Sequence, residues 1–72
     1  MKKRLVVLGA GISGVGAAKL AKIKGFEVFL SDSGKIQEET KNVLTHLEID
    51  WEEGAHNEER ILQADEIVKS PG

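Results

Sequence analysis

Apolar positions fall in short blocks separated by polar and glycine-rich connections, and the blocks alternate between strand-like and helix-like spacing. Leu5-Val6-Val7-Leu8 is an unbroken apolar run between Arg4 and Gly9, the pattern of a strand covered on both faces. Gly14, Ala17, Ala18 and Ala21 recur at i, i+3, i+4 and i+7. That spacing predicts a helix to about Lys24, with one narrow face of small residues that can lie close on a sheet. Lys19, Lys22 and Lys24 project elsewhere, and Gly25 reads as the helix stop. Glu27-Val28-Phe29-Leu30 predicts a second strand ending at Ser31-Asp32-Ser33-Gly34. Ile36, Thr40, Val43, Leu44 and Leu47 form the stripe of a second helix over about 36–47. Ile49-Asp50-Trp51-Glu52 alternates as a short third strand that closes in Glu53-Gly54. Asn57 is placed to cap a brief helix, whose Glu58 and Glu59 suit the helix dipole and whose Ile61 and Leu62 supply the buried side. Glu66-Ile67-Val68-Lys69 predicts a fourth strand before Ser70-Pro71-Gly72.

Strand–helix alternation at this spacing predicts an α/β fold, a parallel sheet with helices on its faces. Right-handed crossovers from strand one to two and from two to three place the strands in the order 3-2-1. Strand four then lies beside strand one, so the expected order is 3-2-1-4, a Rossmann-like sheet in a single domain over residues 1–72. The carboxyl ends of strands one and four meet where the winding reverses, which is where open α/β sheets bind ligands. The glycine loop, Asp32 and Ser70-Pro71-Gly72 all belong to that edge.

Gly9, Gly11 and Gly14 match G-x-G-x-x-G directly after a strand and at a helix start, the context that gives the pattern meaning. Gly9 permits the tight turn, Gly11 leaves room for a phosphate against the backbone, and Gly14 lets the helix press on strand one. The free N–H groups of the first helical turn then face an anion, with the Ser13 hydroxyl among them. Asp32, 18 residues after Gly14, closes strand two. An acid there takes ribose hydroxyls or a base N–H; the competing reading is a turn or cap aspartate beside Ser33-Gly34. Ser70-Pro71-Gly72 reads equally as a rigid turn or as a ligand wall. His46 and His56 each lack a second ligand or a nucleophile at useful spacing and read as structural.

The composition narrows the function. The chain has 72 residues, ten Lys+Arg, twelve Asp+Glu, net charge −2 and no cysteine. That leaves no disulfide framework and no thiolate metal site. Residues 1–24 carry Lys2, Lys3, Arg4, Lys19, Lys22 and Lys24 and no acid, whereas eight acids fall within 48–66. This asymmetry reads either as a cationic edge for an anionic ligand or as two solvated helix faces. A nucleic-acid module would be basic overall with exposed aromatics, and only Phe26, Phe29 and Trp51 are aromatic, so no nucleic-acid partner is expected. The apolar run behind Met1-Lys2-Lys3-Arg4 is four residues long, too short for a signal sequence or a membrane span. No membrane partner is expected, and the compartment is the cytoplasm.

Gly9-Ala10-Gly11-Ile12-Ser13-Gly14, Ser31-Asp32-Ser33 and Ala64-Asp65-Glu66-Ile67-Val68-Lys69-Ser70-Pro71-Gly72 together resemble the N-terminal domain of the Mur ligases, over essentially the whole chain. The Ser-Pro-Gly ending matches the member of the family that adds D-glutamate. The resemblance implies a step of peptidoglycan synthesis. ATP activates the carboxylate of UDP-N-acetylmuramoyl-L-alanine as an acyl phosphate, and the amine of D-glutamate attacks it. It implies that this domain holds the UDP end, while ATP and magnesium belong to a central domain and the amino acid to a C-terminal one. No G-x-x-x-x-G-K-[ST] occurs here, and the chain stops one strand short of the family's N-terminal sheet. The expectation is therefore a fragment that binds UDP, needs no cofactor of its own and does not catalyse. By the family pattern Ile12 and Ser13, with Gly11 and Gly14 shaping the loop, hold the diphosphate. Asp32 and Ser33 lie by the uracil and ribose, and Ser70 and Gly72 along the uracil. Gly34 stands where some relatives carry a larger side chain over the base. Two other readings remain open on the residues alone: the first half of an NAD-binding oxidoreductase domain, and a nucleotide-sensing regulatory module.

Overall fold

In the computed structural model, which describes residues 2–69, seven elements alternate along the chain. They are β1 (Arg4–Leu8), α1 (Ile12–Ile23), β2 (Glu27–Asp32), α2 (Glu38–His46), β3 (Asp50–Glu53), α3 (Glu58–Leu62) and β4 (Glu66–Lys69). The four strands are parallel and pair in the order β3-β2-β1-β4, as the crossover rule requires. Leu5 pairs with both Val28 and Glu66, and Asp32 with Glu53.

One face of the sheet carries the main core. Leu5 and Val7 of β1 and Val28 and Leu30 of β2 pack with Ala18 and Ala21 of α1, and with Ile36, Leu44 and Ile49. Most of the small-residue face of α1 turns inward as its spacing predicts: Gly14, Ala18 and Ala21 are buried and Ala17 is half-buried. Leu44 is wholly buried, and truncating such a side chain to alanine costs about 2–5 kcal/mol. Gly25 ends α1 with φ at +92°, a conformation that costs glycine nothing, and its amide donates to Lys22 O at 3.1 Å.

The opposite face carries Val6, Phe29 and Ser31 under the short α3. Arg60 lies 3.7 Å above the Phe29 ring, a cation–π contact. The Asn57 side chain accepts the Arg60 amide at 3.2 Å, the predicted N-cap. The amino edge of β4 is clamped to β1: Arg4 N donates to Asp65 Oδ2 at 2.7 Å, and Asp65 N to Arg4 O at 2.8 Å.

The structure departs from the sequence reading at several points, β3 among them, which runs over Asp50–Glu53 and not Ile49–Glu52. β2 runs two residues further, through Ser31 and Asp32, because Ser31 is fully buried and pairs with Glu52. α2 begins at Glu38, so Ile36 fills the core from the preceding connection, 2% exposed, and Val43 is on the surface. α3 buries no residue and Leu62 is 84% exposed; neighbouring helical positions point about 100° apart, and only Ile61 is turned partly inward.

Candidate functional site

The carboxyl edge of the sheet is shaped first by the turn after β1. Gly9 takes φ +108°, and its amide donates to Ser31 O at 2.8 Å, keeping the turn against the end of β2. Gly11 is the N-cap of α1 in extended backbone (φ −69°, ψ 179°), with no side-chain cap. The first-turn N–H groups of a helix have no intrahelical acceptor, and they carry the positive end of the dipole. No acidic residue stands in that turn. Ile12 is 95% exposed beside it.

Asp32 sits between the two loops that meet there. Its Oδ2 accepts the Ala10 amide at 2.8 Å and its Oδ1 accepts the Gly34 amide at 2.8 Å. The carboxylate thus ties the glycine loop to the β2–α2 connection. The turn reading and the position of a ligand-facing acid describe the same side chain, since each carboxylate oxygen has a further lone pair. A Cβ at Gly34 would meet Asp32 Oδ1 at 3.4 Å, an ordinary contact.

A cleft of about 700 Å³ opens between α1 and this connection. It is lined by Ala10, Gly11 and Ile12, by Asp32, by Lys35 to Gln37, and by Val15, Gly16, Lys19 and Thr40. The structure therefore brings Gly11, Ile12 and Asp32 together. Ser13 and Ser33 are exposed next to the cleft but do not line it, and Gly14 faces the core. Ser70 and Gly72 lie outside the described residues. Lys19, one of the cations read as either an anion-attracting edge or a solvated face, and Lys35, which the sequence reading did not pick out, flank the cleft with positive charge. A lysine in the strand-to-helix connection was the available signal for Lys35.

The end of β3 holds two carboxylates on opposite faces of the sheet. Glu52 Oε2 accepts the Ser31 hydroxyl at 2.7 Å and the Asn57 amide at 2.6 Å. His56 Nδ1 stands 2.6 Å from Ser31 Oγ, which makes His56 a member of this network. Glu53 Oε1 accepts the Ile36 amide at 2.9 Å and its Oε2 accepts Lys41 Nζ at 2.8 Å. The Lys41 ammonium and the Ile36 amide hold the Glu53 carboxyl below the usual carboxylate range, and Glu53 raises Lys41 in turn.

Strand order, a glycine turn opening a helix and an acid closing the next strand place the chain among the Rossmann-like α/β domains. More narrowly, the chain belongs to the MurD N-terminal domain family, which matches residues 4–72. Among curated proteins it is similar to UDP-N-acetylmuramoylalanine–D-glutamate ligase of Bacteroides thetaiotaomicron, 60% identical over 97% of this chain and 16% of the relative. The protein of the same name from Christiangramia forsetii is 54% identical over the whole chain and 16% of the relative. That of Fervidobacterium nodosum is 45% identical over 90% of the chain and 15% of the relative. The chain thus spans about a sixth of the length of the curated relatives it matches. Among the described residues no helix is long and apolar enough to cross a membrane.

Proposed function

We propose that this chain is the UDP-holding domain of a ligase that joins D-glutamate to UDP-N-acetylmuramoyl-L-alanine in peptidoglycan synthesis. The relatives that carry that ligase name support the reaction. The observation that carries the binding reading is the cleft in which Gly11, Ile12 and Asp32 meet between two lysines. The diphosphate takes the first-turn N–H groups of α1, where backbone donors and the helix dipole both favour an anion. Lys19 and Lys35 add positive charge from either side. Asp32 takes a base or ribose donor with the lone pairs its two loop bonds leave free. Ser13, Ser33, Ser70 and Gly72 complete the set by the family pattern.

ATP and magnesium supply carboxylate activation in the full-length ligase. No P-loop occurs in the sequence, and among the described residues no group of three or more His, Cys, Asp or Glu could hold a metal. The 72 residues alone bind substrate and release no phosphate from ATP. Titration of the ¹⁵N-labelled chain with UDP and, separately, with NADH tests the reading. Saturable shifts at Ile12, Ser13 and Asp32 with UDP are expected. Shifts with NADH alone would move the chain to the dinucleotide-binding class.

A further inference from the structure

One wall of the cleft is the β2–α2 connection, and a side chain outside the cleft is bonded to it. Lys35, Ile36 and Gln37 line the cavity; Glu53 does not. Yet the connection is fastened to the end of β3 at two points. The Gly54 amide donates to Gly34 O at 2.9 Å, and the Ile36 amide donates to Glu53 Oε1 at 2.9 Å. The second Glu53 oxygen is occupied by Lys41, whose side chain is 14% exposed and whose ammonium lies 5.3 Å from the Trp51 ring centroid. The carboxylate is therefore itself held in place by α2 and β3. Without it, the amide of a residue with a 2% exposed side chain loses its acceptor just before a helix that has no side-chain cap.

We propose that Glu53 is a positioning residue for the nucleotide. Bridging the Ile36 amide to Lys41, it holds residues 34–37 in the conformation that closes the cleft opposite Asp32 and α1, without touching the ligand. The inference rests on the reading that the cleft takes the uridine nucleotide. Apparent affinity falls in proportion to the fraction of molecules whose site is competent to bind. A connection held correctly a tenth of the time then binds about tenfold more weakly.

The test is a UDP titration of the ¹⁵N-labelled chain, wild type against Glu53→Ala and Glu53→Gln, with hydrogen exchange at the Ile36 amide. Measurements are made where the dispersed β1 and β2 resonances show every variant folded. Glu53→Ala is expected to speed Ile36 exchange and to weaken UDP about tenfold. Glu53→Gln keeps an acceptor for Ile36 but gives up the Lys41 ion pair, so it should recover part of the affinity and remain several-fold below wild type. Wild-type affinity in a folded Glu53→Ala chain overturns the inference and leaves the nucleotide reading standing. Should Glu53→Ala not fold, wild-type affinity in Glu53→Gln overturns it equally. Failure of the wild-type chain to bind UDP overturns the nucleotide reading, and the inference with it.

Discussion

Asp32 accepts the amide of Ala10 across 22 residues of chain, at 2.8 Å, while its other oxygen accepts the Gly34 amide two residues on. One carboxylate thus sets the distance between the glycine turn and the opposite wall of the cleft. Hydrogen bonds to a charged group contribute about 1.5–3 kcal/mol. Asp32→Ala is expected to lower the melting temperature and to weaken UDP, because both loops lose their shared anchor at the cleft. Asp32→Asn keeps one acceptor and should sit between the two. A thermal melt and a UDP titration on the same samples check this; an unchanged melt in Asp32→Ala would remove the bracing role.

Gly14 is buried on the sheet side of α1. Gly14→Val adds a branched side chain where the helix lies on β1, and overpacking of this kind costs roughly 1–3 kcal/mol. The expected outcome is a lower urea midpoint with an unchanged m-value. A midpoint equal to wild type would show that the interface has room to spare.

Glu48, just past the end of α2, takes φ +59°. Holding a side chain in that left-handed region costs roughly 1–2 kcal/mol, and glycine escapes most of that cost. Glu48→Gly should therefore stabilise the chain by about 1 kcal/mol, less the added freedom of its unfolded state. The bond from Lys22 Nζ to the Glu48 carbonyl does not depend on the side chain. Equilibrium urea unfolding reads the difference directly.

The Glu53–Lys41 pair gives the stability a defined pH dependence. Glu53 titrates below its ordinary value because it accepts from Lys41 and from the Ile36 amide, with Lys35 nearby adding to the effect. A lowered carboxyl contributes stability above its unfolded pKa and loses it as pH falls through the folded one. Lys41 is raised, chiefly by its hydrogen bond to Glu53. Its contribution is complete below the ordinary lysine range and is lost as pH rises through its raised value. Wild type should lose melting temperature more steeply than Glu53→Gln between about pH 5 and pH 3. Parallel curves would show that the pair does not contribute.

Much of this was legible along the chain. Buried parallel strands write themselves as apolar runs, and the small-residue spacing of α1 gave its inward face, because one-dimensional periodicity reports burial directly. Strand order followed from handedness. Ser31 and Ile36 were harder. Ser31 continues β2 because Glu52 and His56 satisfy its hydroxyl, and Ile36 is buried ahead of its helix because Glu53 takes its amide. Both depend on partners 17 to 25 residues away, which no local pattern encodes. Gly11, Ile12 and Asp32 could be placed at one edge by topology alone. Lys19, Lys35 and Glu53 required knowing which walls face each other.

Because β1 lies between β2 and β4, its two flanks differ in the length of chain that must be brought together. Pairing with β2 closes one helix-sized excursion, whereas pairing with β4, through contacts such as Leu5 with Glu66, closes about sixty residues. The extra closure entropy is below ~1 kcal/mol, since the cost grows only with the logarithm of length. β1 therefore meets both neighbours at similar entropic cost, although they lie at very different distances along the chain. The Arg4–Asp65 clamp, at the amino edge, is thus a bond across 61 residues of chain that holds the start of β4 against β1.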